Sequence, residues 1–353
     1  MHMADALISP AVGGTMWAAT AGLTVYSAKK LKADLDEHKV PLMGVLGAFI
    51  FAAQMINFTI PGTGSSGHLG GGMILAILLG PYAAFLTIAS VITIQALFFA
   101  DGGLLALGCN IINMGFFACF VGYPLIYQKI VGKSPSQGRI LLGAMASAII
   151  ALQLGAFGVV LETLFSGISE LPFSTFVLLM QPIHLAIGIV EGLVTTAVVS
   201  FVWKAHPEIL TMAKTAAPAR RHSHAPLLLG LALFAVVAGG MLSWFASTHP
   251  DGLEWSVKGV TGKEEMAAPK EGVHGAMAWM QEKLSFLPDY DFKKPEETQG
   301  LKPEGEPGGA KGESWPEVSA GKSLAGVLGA AMTLLLVGVI GLGLRRYYAQ
   351  GKG

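Results

Sequence analysis

A histidine at the second position of a chain is a chelator waiting for a metal. With His2 following Met1, the free α-amine, the His2 backbone nitrogen and the near imidazole nitrogen can close two fused rings on one ion. His68, at the end of the loop Pro61-Gly62-Thr63-Gly64-Ser65-Ser66-Gly67-His68, can supply a fourth nitrogen. Four nitrogens in a plane suit Ni(II) or Cu(II), whereas zinc prefers a tetrahedron and magnesium or calcium prefers oxygen. By composition alone, such histidines are more often an accident and a solvated turn residue. The stretch Met1 to Ala6 holds Asp5 and no Lys or Arg. No basic leader precedes the first apolar run, so the start of the chain is expected to stay attached with its amine available.

These donors must be positioned by a membrane-embedded scaffold. Of 353 residues, 52% are hydrophobic and only 13% charged, against about 25% charged in soluble proteins. The fold class expected is an all-α membrane protein. Zero net charge and the absence of a basic domain argue against nucleic acid as a partner. Cys109 and Cys119 lie in one apolar run and read as packing residues, not as a disulfide framework.

Apolar runs fall at about 11–28, 41–60, 69–80, 82–100, 103–127, 140–166, 175–203, 226–246 and 324–344. The third is short for a ~30 Å hydrocarbon core, and Pro81 after Gly80 separates it from the fourth. Charge decides whether the two are separate passes. If they are, Lys29, Lys30, Lys32 and Lys39, then Lys129, Lys133 and Arg139, then Lys204, Lys214, Arg220 and Arg221, and finally Arg345, Arg346 and Lys352 share one side, the cytoplasmic one. The loops at 61–68, 101–102 and 167–174 hold no Lys or Arg. The reading is nine segments, N-terminus outside and C-terminus in the cytoplasm of a cell (inner) membrane protein. It puts His2 and His68 on one face, and makes the loop before the short run dip below the membrane surface.

The expected organisation is a seven-helix unit at 1–204, a cytoplasmic linker at 205–225, a two-helix unit at 226–345 and a cytoplasmic tail at 346–353. The extracytoplasmic loop 247–323 holds 14 acidic and 9 basic residues. Pro288 to Pro316 is expected to be flexible, and Gly275 to Met280 to dock on the membrane or on the first unit. His222-Ser223-His224 sits beside Arg220 and Arg221, which disfavour a second cation, and reads as linker.

Several polar residues lie inside the runs. Gln54, Asn57, Asn110 and Asn113 read first as ties between helices, with Asn57 and Asn110 as minority supports of the metal donors. Ionisable groups at such depth are costly and commonly line a functional path. Glu162, His184 and Glu191 therefore raise a rival, an intramembrane enzyme, yet the latter two stand seven apart and no His-Glu-x-x-His pattern is present. A passive divalent-cation channel is a second rival.

The stretch Met1-His2-Met3-Ala4-Asp5-Ala6, with Gln54-Met55-Ile56-Asn57-Phe58, the Gly62 to His68 loop followed by Leu69-Gly70-Gly71, Gln95-Ala96-Leu97-Phe98, Asp101-Gly102-Gly103-Leu104 and Cys109-Asn110-Ile111-Ile112-Asn113-Met114-Gly115, resembles the nickel/cobalt substrate-binding component of energy-coupling factor transporters. The resemblance covers residues 1–205. Residues 225–345, with Pro250-Asp251-Gly252-Leu253-Glu254 between two spans, resemble the small auxiliary component of the same systems. It implies a seven-helix bundle in which Met1, His2 and His68 bind Ni(II) or Co(II), with Asp5, Asn57, Ser66 and Asn110 as candidates to stand behind them. The loop reads Gly-Thr-Gly-Ser-Ser-Gly-His where the family form is the shorter Gly-Gly-Thr-Ser-Gly-His. The ion is then transported substrate, with no intrinsic cofactor. The resemblance implies that the chain is not an enzyme, since such components do not hydrolyse ATP, and no Gly-x-x-x-x-Gly-Lys-Ser/Thr stretch occurs. The partners implied are a transmembrane coupling subunit, ATP-binding cassette ATPase subunits and membrane lipid.

Overall fold

Every apolar run folds as a helix, because in lipid a backbone can satisfy its polar groups only within itself. The computed structural model describes residues 2–31, 39–132, 134–169, 171–212, 225–264, 266–293 and 315–350. Met1, the His222-Ser223-His224 tract and most of Pro288 to Pro316 lie outside the described residues. The helices are α1 (Pro10–Leu31), α2 (Lys39–Gln54), α3 (Gly72–Leu79), α4 (Pro81–Phe99), α5 (Leu107–Val131), α6 (Gln137–Ser166), α7 (Phe173–Ala205) and the short α8 (Pro207–Met212). After the linker come α9 (Ala225–Gly240), α10 (Gly252–Thr261), α11 (Gly272–Leu284) and α12 (Ala320–Gln350). Among the described residues, α4, α5, α6, α7 and α12 are long and apolar enough to cross a membrane, and α2 and α9 are shorter apolar helices of 16 residues each.

Gly80, at φ 80° and ψ 163°, breaks the chain between α3 and α4, and Pro81 opens α4 where its missing N–H leaves no helical bond unmade. The two helices pack along each other, which collinear halves of one broken helix would not do. They are separate segments. The start of α3 is tied to Glu191, 18 residues into α7, or about 27 Å along that helix. The loop before α3 therefore reaches halfway down the bundle.

That loop contains a small antiparallel hairpin, β1 (Phe58–Ile60) and β2 (Ser65–Gly67), paired Phe58 to Gly67 and Ile60 to Ser65. Helices α6 and α7 form a long pair beside α5. On the other flank α9 and α12 pack on α2, where small residues allow close approach: a Cβ at Gly47 would lie 3.1 Å from Thr333, and one at Gly341 would lie 2.7 Å from Val40.

Where it is described, the segment 247–323 is more than a loop. Its first part folds into α10 and α11. Asp251 starts α10 with a reciprocal cap: its Oδ1 accepts from the nitrogens of Leu253 and Glu254 at 2.7 and 2.8 Å, while Glu254 Oε2 accepts from Asp251 N at 2.9 Å. Helix α11 lies on the first part of the chain. Gln281 Nε2 donates to the carbonyls of Ala96 and Gly102 at 2.9 and 2.7 Å, and His274 Nε2 lies 2.9 Å from Ile8 O.

Candidate metal centre

The amino-terminal segment is threaded into the bundle. Met3 and Ile8 are fully buried, and Ala6 and Leu7 nearly so. Asn110 holds the Met3 peptide from both sides: its Oδ1 accepts from Met3 N at 2.8 Å and its Nδ2 donates to Met3 O at 3.2 Å. Gly103 N donates to the same carbonyl at 2.9 Å. Asp5, buried, accepts from Ala106 N at 3.0 Å just before α5 begins. A Cβ at Gly103 would overlap the Asp5 carboxylate, and Gly102 takes φ 82°, where a side chain is disfavoured.

This clamp delivers His2 to His68. The two rings lie with centroids 5.1 Å apart and planes 14° from parallel. A metal–nitrogen bond of about 2.0 Å sets each ring centroid about 3 Å from an ion, so two imidazoles sharing one ion stand roughly 4 to 6 Å apart. The spacing fits. Burial pushes the His2 and His68 imidazoles down to about 3, because a charged ring loses its hydration there. Both rings are neutral near pH 7, the form that binds metal. His68 Nδ1 sits 3.1 Å from Leu69 O; with its proton on that nitrogen, Nε2 carries the lone pair. The near nitrogen of His2 sits 3.1 Å from Asp101 Oδ1, and its Nε2 is buried without a hydrogen-bond partner.

Among the described residues, no three His, Cys, Asp or Glu side chains gather to hold a metal. His2 and His68 are thus two imidazoles that belong to no such group of three among the described residues.

The remaining sequence candidates fall into distinct places. Ser66 pairs with the C-terminal part of the chain, donating from Oγ to His249 O at 2.8 Å and from its nitrogen to Pro250 O at 2.8 Å. Asn57 O accepts from Ser247 N at 2.8 Å, and Asn57 lines the cleft of about 630 Å³ that His2, His68, Asp101 and Asp251 also line. Glu191 accepts from Gly70 N and Gly71 N at 2.9 and 3.1 Å, fixing the backbone just beyond His68. Gln54 holds Gly70 O at 2.8 Å and is held in turn by Gln95 at 2.9 Å. Glu162 accepts from Asn113 at 2.6 Å, tying α6 to α5. His184 Nδ1 lies 2.7 Å from Met180 O on its own helix, and its ring borders a cavity of about 10 Å³, about one water in size, with His68 and Asp251. Glu162 and Glu191 thus serve different ties and build no shared acid-base pair.

Three residues beside the histidines had no assigned role in the sequence reading. Asp101 stood inside a quoted stretch, and the Asp251-x-x-Glu254 spacing announces a cap, but nothing local pointed to Tyr290. Its phenol donates to Asp101 Oδ2 at 2.5 Å.

With that geometry in place, comparison with known proteins is informative. A family model described as "cobalt uptake substrate-specific transmembrane region" matches residues 2–209, and a PDGLE domain model matches residues 225–346. The fused nickel transport protein NikMN of Rhodobacter capsulatus is 33% identical over 314 residues, covering 82% of this chain and 88% of that one. The cobalt transport protein CbiM of Sorangium cellulosum is 29% identical over 220 residues, 60% of this chain and 94% of that one. A crystal structure of a truncated transition metal transporter superposes with a TM-score of 0.52 at 32% identity, covering 58% of this chain and all of that one.

Proposed function

The chain belongs to the cobalt-uptake substrate-specific transmembrane family, a multi-pass nickel/cobalt transport protein and not an enzyme, and from that premise we propose that it is the substrate-capturing component of an energy-coupling factor importer. The Met1 amine, the backbone and ring nitrogens of His2, and His68 take one Ni(II) or Co(II) ion from outside. ATPase subunits, acting through a transmembrane coupling subunit, then drive its release into the cytoplasm. The unit at 1–204 binds the ion, and the unit at 226–345, joined by the linker 205–225, assists it. The membrane is the cell membrane, with the N-terminus outside and the C-terminus inside.

One observation carries this reading: two imidazoles, of His2 and His68, both partly buried and 5.1 Å apart, one of them at the second residue of a segment clamped into the bundle. Deprotonation of the His2 amide on binding favours ions that accept a planar, strong-field nitrogen set. Nickel is thereby preferred over zinc, and nickel over cobalt by a smaller margin. Metal content after growth in equal trace nickel and cobalt measures that margin.

The test is a leader of several residues before Met1 that is not removed. It turns the Met1 amine into an amide and carries the new amine too far away to close a ring with the His2 nitrogen, so tight Ni(II) binding is lost, and His68→Ala weakens binding while the helical content is retained. Tight binding by the extended protein would overturn the chelate.

A further inference from the structure

The geometry points to Tyr290 as a positioning residue for metal loading: its phenol holds Asp101 so that this carboxylate occupies the His2 nitrogen that the ion needs. This rests on the chelate proposed above and names the group that governs entry into it.

Asp101 is held at both oxygens. Oδ2 accepts from the Tyr290 hydroxyl at 2.5 Å, and Oδ1 lies 3.1 Å from His2 Nδ1, the ring nitrogen that closes a chelate with the His2 backbone nitrogen. An ion bound to Nδ1 at about 2.0 Å on that side would stand about 1 Å from the present position of Oδ1, half the length of a metal–oxygen bond. Ion and carboxylate cannot both be there. Loading therefore requires Oδ1 to withdraw by about 1 Å or more, and the phenol is what resists.

The latch is built across the chain. Asp101 sits in the turn after α4, between Ala100 at φ 54° and Gly102 at φ 82°. Tyr290 arrives from the far end of the sequence, in a turn where Asp289 and Tyr290 themselves have φ of 53° and 60°. Non-glycine residues at positive φ persist where surrounding contacts determine them. Those contacts are on hand: the Tyr290 ring stacks on Phe99 with centroids 5.0 Å apart, Phe286 packs on Phe98 and Phe99, and Gln281 bridges the carbonyls of Ala96 and Gly102. Withdrawal of the 281–290 segment would release Asp101 from the phenol. The C-terminal part of the chain thereby sets when His2 is free to take an ion.

The test uses the full chain with its native start in lipid nanodiscs and Ni(II) chloride alone, with association and dissociation rates read separately by stopped flow against a chelating dye. Tyr290→Phe keeps the stack on Phe99 and removes only the hydroxyl. Association is expected to quicken about tenfold, the weak end of a hydrogen bond to a charged group, with dissociation unchanged. In an Asp101→Asn background the same change has no further effect, since the phenol acts only through that carboxylate. Tyr348→Phe, which removes a phenol bonded to Ala28 O at 3.1 Å, leaves both rates at the parent value. Unchanged or slower association in Tyr290→Phe, or an effect confined to dissociation, overturns the latch. If His2→Ala abolishes tight binding while Tyr290→Phe leaves association unaltered, only the latch fails; if His2→Ala binds Ni(II) as the parent does, the chelate itself fails.

Discussion

Replacing Asn110 with Ala leaves every proposed ligand in place and removes the clamp on the residue after His2. In the parent, Met3 is fully buried, worth about 2 kcal/mol for a side chain of its size. Three hydrogen bonds hold its peptide, two from Asn110 and one from Gly103, each contributing about 1 kcal/mol net. Against this, ordering the backbone of three residues costs about 3 to 6 kcal/mol. The docked state of the segment is thus close to balance with the undocked one. Asn110→Ala deletes two of the bonds and leaves the Met3 N–H buried without an acceptor, a loss of about 2 to 3 kcal/mol. Binding strength is reduced by the fraction of molecules that are competent, so Ni(II) affinity should fall about thirtyfold. Titration with a competing chelator at fixed pH measures it, and dichroism checks that the helices persist. An Asn110→Ala protein binding Ni(II) within threefold of the parent would refute the argument that docking of residues 2–4 limits the site.

The other predictions concern the surroundings of the same centre. Gly103→Ala drives a methyl group into the Asp5 carboxylate, and should weaken metal binding at least tenfold by lifting the segment, read in the same titration. Glu191→Gln sets an amide N–H against one of the two backbone N–H donors at Gly70 and Gly71; the lost charge-assisted bond and the orphaned donor should cost about 3 kcal/mol, seen as a lower thermal midpoint, and a midpoint at the parent value would count against that tie. The folded pKa of His2 and His68, about 3, lies below the ordinary 6.5. The stability these rings contribute as neutral groups is complete above pH 6.5 and is lost as pH falls toward 3, so the thermal midpoint of the metal-free protein should drop across that window and drop less in His68→Ala. Metal affinity, in contrast, should still rise with pH above 6.5, by about tenfold per unit for each proton that the amide and amine must release; a flat profile there would exclude main-chain chelation.

Much of the architecture could be read in one dimension because lipid admits few solutions. An apolar run without charges becomes a helix in a membrane whatever its neighbours are, so each of the nine runs reappears with a helix at its centre, although the second ends at Gln54 and its last residues form strand β1. Pro81 after Gly80 announced a break for a purely local reason, the missing N–H. The meeting of His2 and His68, their rings 5.1 Å apart, was legible because the charge asymmetry of the loops predicted both on one face, and the chelate proposed there follows from what a second-position histidine offers by covalent connectivity alone.

What no window of sequence contained was who would meet whom across the chain. Asn110 on α5 clamps Met3, Glu191 in the middle of α7 fixes the backbone beyond His68, and the 281–290 segment, expected in part to be flexible, crosses to Phe99 and Asp101. Each is a polar group whose partner lies tens to hundreds of residues away. Local spacing says only that such a group needs a partner. Which one it finds follows from how the helices pack, because a buried donor or acceptor is satisfied by whatever the tertiary structure brings within about 3 Å.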